Sequence, residues 1–313
     1  MGKMEKNICL IVLVIILILL AVLFRRLHSS DKIASTYEVA VIMDNSSEEY
    51  WRYFKLGAEK AGADNNMDLR FVGMYLDMEE EGQLSYMERE IANDVDAIII
   101  SPINSSALEK WLEEKKITIP VITVGGKVSS QKVINHISAD DYSMGESLAE
   151  AVAKDNPKST CTIVYPNGTV EEPIAKRYKG LIDKLEELNI TYERYDMSKE
   201  SLGYGDIYLS YIQDSENVIG LTSRITEQLS SFVGAEKKVY GIGITDEILA
   251  GLEKGTIRRI VAHSQYDAGY ISINWINSYL KNKTVEDMLL EVYEVDKNNM
   301  FTKPLEQILF PIS

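Results

Sequence analysis

The stretch "DAIIISPINSSALEKW", Asp96 to Trp111, decides how the chain is read. Ala97, Ile98, Ile99 and Ile100 are apolar and mostly β-branched, the composition of a strand buried on both faces. Ser101, Pro102, Ile103, Asn104 and Ser105 follow, and then a polar-faced helix. A strand covered on both faces belongs to a parallel sheet with helices on either side. In such sheets ligands sit outside the carboxyl ends of the strands, so the small hydroxyls and the proline stand where a binding wall is expected.

Working outward, strands and helices alternate in both directions. Strands are read at 37–44, 67–75, 97–100 and 119–125, with helices at 50–65, 78–94 and 105–116 between them. Tyr50, Phe54, Leu56, Ala58 and Ala61 are the expected apolar face of the first helix, and the second carries acidic residues in its first turn, where the helix dipole favours them. This order predicts a parallel sheet with helices on both faces. "VINHISAD" (133–140) leads into a helix at 141–154, after which the pattern begins again. Strands at 161–166, 190–197, 217–223, 238–244 and 257–264 alternate with helices at 170–188, near 206–215, near 226–233, at 245–254 and at 265–281. "LLEVYEV" (289–295) reads as one last strand. No Gly/Ser linker separates the two halves, so they are expected to be closely coupled.

Composition bounds the function. The chain has 313 residues, 45% of them hydrophobic, and a net charge of −15. That acidity argues against a general nucleic-acid binder, which needs a basic face for phosphates. Residues 8–24, "ICLIVLVIILILLAVLF", are uncharged and lie between Lys3/Lys6 and Arg25/Arg26. At 1.5 Å per residue the run covers about 25 Å, enough to span a bilayer with snorkelling flanks. No small-x-small cleavage site follows it and no lipobox Cys ends it, which reads as an uncleaved membrane anchor. Flanking charge is nearly balanced and leaves the orientation open. Cys161 is the one Cys outside this run, so no internal disulfide is expected.

The residues after each strand are rich in small polar groups and poor in nucleophile–base pairs. His28, His136 and His263 lie far apart, and none has a second ligand at metal-binding spacing. Cys161 opens a buried strand, where an inert thiol is the usual role. There is no G-x-S-x-G and no P-loop, and "GIGITD" (241–246) lacks the third glycine of a dinucleotide fingerprint. Neither an enzyme, a metal nor a cofactor is called for. Tyr50 and Trp51, just past the first strand, offer either core packing or an aromatic face for the C–H surface of a sugar ring.

Six stretches carry a resemblance to a known family: "VAVIMDNSSEEYWRYFKLGAEKAG" (39–62), "VDAIIISPINSSAL" (95–108), "IPVITVGG" (119–126), "INHISADDYSMGESLAEAVAK" (134–154), "AKRYKGLIDKL" (175–185) and "VYGIGITDEILAGLEKGTIRRIVAHSQYDAGY" (239–270). The chain resembles the type I periplasmic binding proteins, in particular the ribose- and galactose-binding group, whose fold the sensor cores of lac-repressor-type regulators share. The resemblance implies two doubly wound α/β lobes, Rossmann-like, joined by a hinge of three crossovers and closing on a ligand. Residues 1–36 are then the anchor, 38–138 plus 265–290 the first lobe, and 139–264 plus 291–313 the second. It implies a binding set of Glu48, Tyr50, Trp51, Ser101, Arg177, Ser223 and His263. His263 stands where the family often has Gln. Gly125-Gly126, Ser223-Arg224 and Gly243 replace charged or amide groups that hold sugar hydroxyls in the family.

The implied function is a membrane-anchored extracytoplasmic solute-binding protein for a sugar-like ligand, passing it to an ABC permease or signalling to a membrane histidine kinase. The glycines and the surviving arginines imply a ligand bulkier than a simple pentose, or an anionic one. A cytosolic ligand-sensing transcription regulator and a degenerate homologue that binds nothing are the alternatives. The first would need a helix-turn-helix where the anchor stands.

Overall fold

The computed structural model describes residues 36–44, 48–72, 80–155, 160–166, 172–197, 212, 215–233, 237–282 and 288–311. The segment read as an anchor, 8–24, lies outside the described residues, as does most of the helix expected near 206–215. Among the described residues no helix is long and apolar enough to cross a membrane.

The first half builds β1 (Tyr37–Ile42), α1 (Glu48–Asn65), β2 (Met67–Val72), α2 (Glu80–Ala92), β3 (Ala97–Ile100), α3 (Ser105–Glu114), β4 (Val121–Val124) and β5 (Val133–Ala139). The second builds α4 (Asp141–Asp155), β6 (Cys161–Tyr165), α5 (Glu172–Glu187), β7 (Tyr192–Asp196), β8 (Asn217–Gly220), α6 (Ser223–Phe232), β9 (Lys238–Ile242), α7 (Asp246–Lys254) and β10 (Ile257–His263). α8 (Gln265–Asn282), β11 (Leu289–Leu290), β12 (Val292–Asp296) and α9 (Leu305–Leu309) close the chain.

These strands form two sheets, ordered β11-β5-β4-β3-β1-β2 and β12-β10-β9-β8-β6-β7. β1, β3, β4, β5 and β11 pair in parallel, as do β7, β6, β8, β9 and β10, while β12 runs antiparallel to β10. Both sheets have the doubly wound order in which the winding reverses between the first and third strands. The result is two α/β lobes. Ile98, Ile99 and Ile100 are fully buried, as the isoleucine run requires of a strand with helices on both faces.

The chain passes between the sheets three times: from β5 into α4, from β10 into α8, and from β11 to β12. The last passage corrects the reading of 289–295 as one strand. Leu289 pairs with Ser138 of the first sheet and Val292 with His263 of the second, with exposed Glu291 between them. An alternation of apolar residues shows that a segment is extended but not which sheet it joins.

Within each lobe two helices cross at a pair of glycines. A Cβ on Gly145 of α4 would lie 2.0 Å from the Arg177 carbonyl oxygen, and one on Gly180 of α5 would lie 2.1 Å from that of Tyr142. Gly57 of α1 and Gly269 of α8 do the same in the other lobe, each 2.0 Å from the facing carbonyl. The missing side chains let the backbones touch, and in the second lobe that sets the height of Arg177. The α1 face is also corrected: Phe54, Ala58 and Ala61 are buried as expected, but Leu56 turns with Tyr53 toward the apolar cluster of the second sheet.

Gly145→Ala is expected to force α4 and α5 apart and cost about 3 kcal/mol, by analogy with overpacked cores. Urea unfolding measures this; a cost below roughly 0.5 kcal/mol, the level of an ordinary surface substitution, would refute the crossing as described.

Candidate functional site

Polar residues following the strands do two different jobs. Asn104, Thr222 and Thr245 are helix caps, their side-chain oxygens accepting from the backbone N–H of Ala107 (3.1 Å), Ile225 (3.3 Å) and Ile248 (3.3 Å). They satisfy amides that a helix start leaves unpaired. The residues left over point to a site at the reversal of each sheet, where neighbouring crossovers diverge and open a crevice.

In the first lobe that point lies between β1 and β3. Asp44, two residues past β1, accepts from Ser101 Oγ (2.8 Å) on one carboxylate oxygen and from Trp51 Nε1 (3.0 Å) on the other. Ser101 and Trp51 are both buried, and Trp51 packs edge-on against Phe54 with ring centroids 5.5 Å apart. Buried Gln83 of α2 ties the two loops together, donating to Ser101 O (2.7 Å) and Met43 O (3.3 Å) and accepting from Ile103 N (2.9 Å).

In the second lobe the wall is built around Arg177 of α5. Its Nε donates to Asp141 Oδ1 at 2.7 Å and its Nη1 to Leu221 O, just past β8, at 3.2 Å. Both side chains of this ion pair are nearly buried, 13% and 9% exposed. Burial raises the Asp141 carboxyl above its ordinary value against the pull of Arg177. His263, the last residue of β10, is partly covered as a residue, yet its Nδ1 is shut off from solvent and has no hydrogen-bond partner. Burial, with the Arg177 charge nearby, pushes its pKa down to about 4. Ser223 opens α6, and a Cβ on Gly243 would sit 2.5 Å from the Ser223 Cβ. Gly243 has φ +117°, so backbone and neighbour alike exclude the carboxylate that the family resemblance leads one to look for.

Side chains near the strand ends also join the two lobes. Arg52, in the second turn of α1, donates to both carboxylate oxygens of Asp246 at the start of α7, at 2.6 and 2.8 Å. Tyr53 beside it packs into the apolar cluster of the second sheet. A cavity of about 220 Å³ opens between the lobes at the β5–α4 passage, lined by Gly125 and Lys127 from one side and Asp141, Glu172 and Lys176 from the other. His136, also in its lining, is held by Thr123 Oγ1 (2.9 Å) and Ser138 Oγ (3.0 Å), and burial brings its pKa to about 4.

Of the residues read from sequence, the structure brings Trp51 and Ser101 together through Asp44, and Arg177 near His263. Ser223 lies beside Gly243 on the second wall. Glu48 and Tyr50 fall in the first turn of α1, and their side chains are outside the described residues. Asp44, Asp141 and Gln83 were missed. Asp141 was open to charge bookkeeping, because an arginine assigned to a buried wall needs a carboxylate; Gln83, on a distant helix, left no signal. Among the described residues no group of three or more His, Cys, Asp or Glu could hold a metal. Cys161 is buried, its thiol pushed up to about 11, and is therefore a poor nucleophile.

Residues 39–284 match the family model described as a periplasmic binding protein domain, and the chain belongs to that family. It is 21% identical over 262 residues to the ribose import binding protein RbsB of Bacillus subtilis (strain 168), covering 80% of this chain and 84% of that one. A carbohydrate transporter solute binding protein from Agrobacterium radiobacter, solved with D-arabinose, superposes with a TM-score of 0.78 at 19% identity, over 88% of this chain and 99% of that one. GanP, a glucose-galactose binding protein from Geobacillus stearothermophilus, gives 0.74 at 19% identity over 85% and 99%. These relatives are binding proteins rather than enzymes.

Two outcomes follow from the second wall. Arg177→Met leaves Asp141 buried without its counter-charge and should cost about 3–5 kcal/mol, whereas pairing it with Asp141→Leu should recover most of that loss. Urea unfolding of both variants checks this, and a double variant no more stable than the single would count against it. His263 has a folded pKa below its unfolded value, so acid protonates the unfolded chain first. Its contribution is present above pH 6.5 and lost toward pH 4, on the order of 1–2 kcal/mol between pH 7 and 5. Comparing unfolding of the parent with His263→Gln over that range isolates it from Asp141 and Glu227, whose raised values act in the opposite sense.

Proposed function

We propose that the chain is an extracytoplasmic solute-binding protein, tethered by residues 8–24, whose lobes, 38–138 plus 265–290 and 139–264 plus 291–313, close on a sugar or sugar-like molecule. The observation that carries the reading is the polar group at each of the two sheet reversals, Asp44–Ser101 on one and Arg177–His263 on the other. They offer directional hydrogen-bond groups and a flanking aromatic, and no nucleophile beside a base among the described residues. Such a set grasps a polyhydroxyl ring rather than transforming it. The binding of D-arabinose by one structural relative supports the same class of ligand.

Asp141 already balances the Arg177 charge, so the second wall does not call for an anion; a bulkier neutral sugar is the better reading. The output is lobe closure about the three passages, with Arg52–Asp246 and Tyr53 making contact across the gap. An uncleaved tether without a lipobox favours presentation of the closed form to a membrane histidine kinase over delivery to an ABC permease.

A thermal-shift panel of neutral monosaccharides and disaccharides tests the ligand class. A sugar present at a hundred times its dissociation constant stabilises the folded chain by about 2.7 kcal/mol, a rise of roughly 5 °C. No rise with any aldose, ketose or disaccharide would favour the degenerate homologue. Protease added to intact cells is expected to digest residues 38–313; full protection would favour the cytosolic regulator.

A further inference from the structure

Asp44 does more than follow a strand. A serine hydroxyl has one hydrogen and two lone pairs, and an indole nitrogen has one hydrogen and nothing to accept with. Toward a carboxylate both can only donate. Ser101 Oγ gives its hydrogen to Asp44 Oδ2 (2.8 Å), and Trp51 Nε1 gives its hydrogen to Oδ1 (3.0 Å). The backbone beneath is equally committed, with Ser101 N bonded to Ile42 O (2.9 Å) and Ser101 O to Gln83 Nε2 (2.7 Å). With these hydrogens given to Asp44, Ser101 Oγ can only accept from a ligand, and the Trp51 indole has no hydrogen left to donate.

We propose that Asp44 is the positioning residue of this wall, orienting Ser101 as a pure hydrogen-bond acceptor and clamping the Trp51 ring. The cleft then selects a ligand that donates a hydroxyl at this point and turns away one that presents a carboxylate or phosphate. A second acceptor facing the Ser101 lone pairs would find no hydrogen between them, and the Asp44 charge behind Ser101 repels an anion. This rests on the cleft reading above and narrows it, giving the first wall a selectivity that the balanced second wall lacks.

The experiment uses the full chain with D-ribose, D-arabinose, D-galactose and D-galacturonate as probes. Asp44→Asn keeps the shape but puts an amide donor where one carboxylate oxygen was, freeing a hydrogen on Ser101 or on Trp51. Calorimetry should show the tightest neutral sugar weakened at least tenfold by Asp44→Asn, and less than twofold by the same change in a Ser101→Ala background. The parent should bind D-galactose well ahead of D-galacturonate, with the gap narrowed in Asp44→Asn. In 15N-tryptophan spectra the indole signal lost in Trp51→Phe should move upfield in Asp44→Asn, while those of Trp111 and Trp275 stay in place.

Equal losses in both backgrounds would mean that Asp44 meets the ligand itself, and would overturn the proposal. So would a parent that prefers D-galacturonate, or an unmoved Trp51 signal. A parent that binds none of the four probes and no sugar of the thermal-shift panel defeats the cleft reading and the selectivity with it, while the indole signal still decides whether Asp44 holds the wall.

Discussion

The arrangement depends on what a doubly wound sheet does at the place where its winding reverses. Right-handed crossovers leave β1 and β3 of the first sheet, and β6 and β8 of the second, in opposite directions. Helices cannot cover the strand ends there, so polar side chains can be placed without burial among apolar neighbours. Asp44 and Ser101 stand at one such end, and Leu221 with the Arg177 guanidinium at the other. The same topological feature occurs once in each sheet.

Each wall then solves its electrostatics locally. Asp44 has two hydroxyl- or indole-type donors. Arg177 has a buried carboxylate and a backbone carbonyl. A buried charge without such partners would shift its protonation or destabilise the fold. With them the walls are rigid, and the directions in which they can still form hydrogen bonds are few. The same economy explains Gly243: where a carboxylate would be looked for, Ser223 and a positive φ leave no room for any side chain.

Among the described residues, the ion pair that joins the lobes is exposed. Arg52 and Asp246 are 41% and 60% exposed, and exposed pairs of this kind are worth about 0–1 kcal/mol. Tyr53 adds apolar burial on the far side. Inside each lobe the helices pack more tightly, because glycines let their backbones touch.

The sequence by itself determined the alternation of strands and helices, the parallel sheets and the second start near Cys161, because burial on both faces leaves an unbroken apolar run that needs no distant partner to be read. Position just past a buried strand also brought Ser101, Trp51 and His263 to notice, while Arg177 came only from the family resemblance. Only the tertiary structure decided that 289–295 is shared between two sheets, because extension is local and sheet membership is not. It alone revealed Gln83 reaching from α2 to the Ser101 loop, and Asp141 closing on Arg177 across a glycine-lined helix crossing. Most of all it decided the direction of each hydrogen bond: a serine in a sequence can give or accept, and the carboxylate that settles the matter lies 57 residues away.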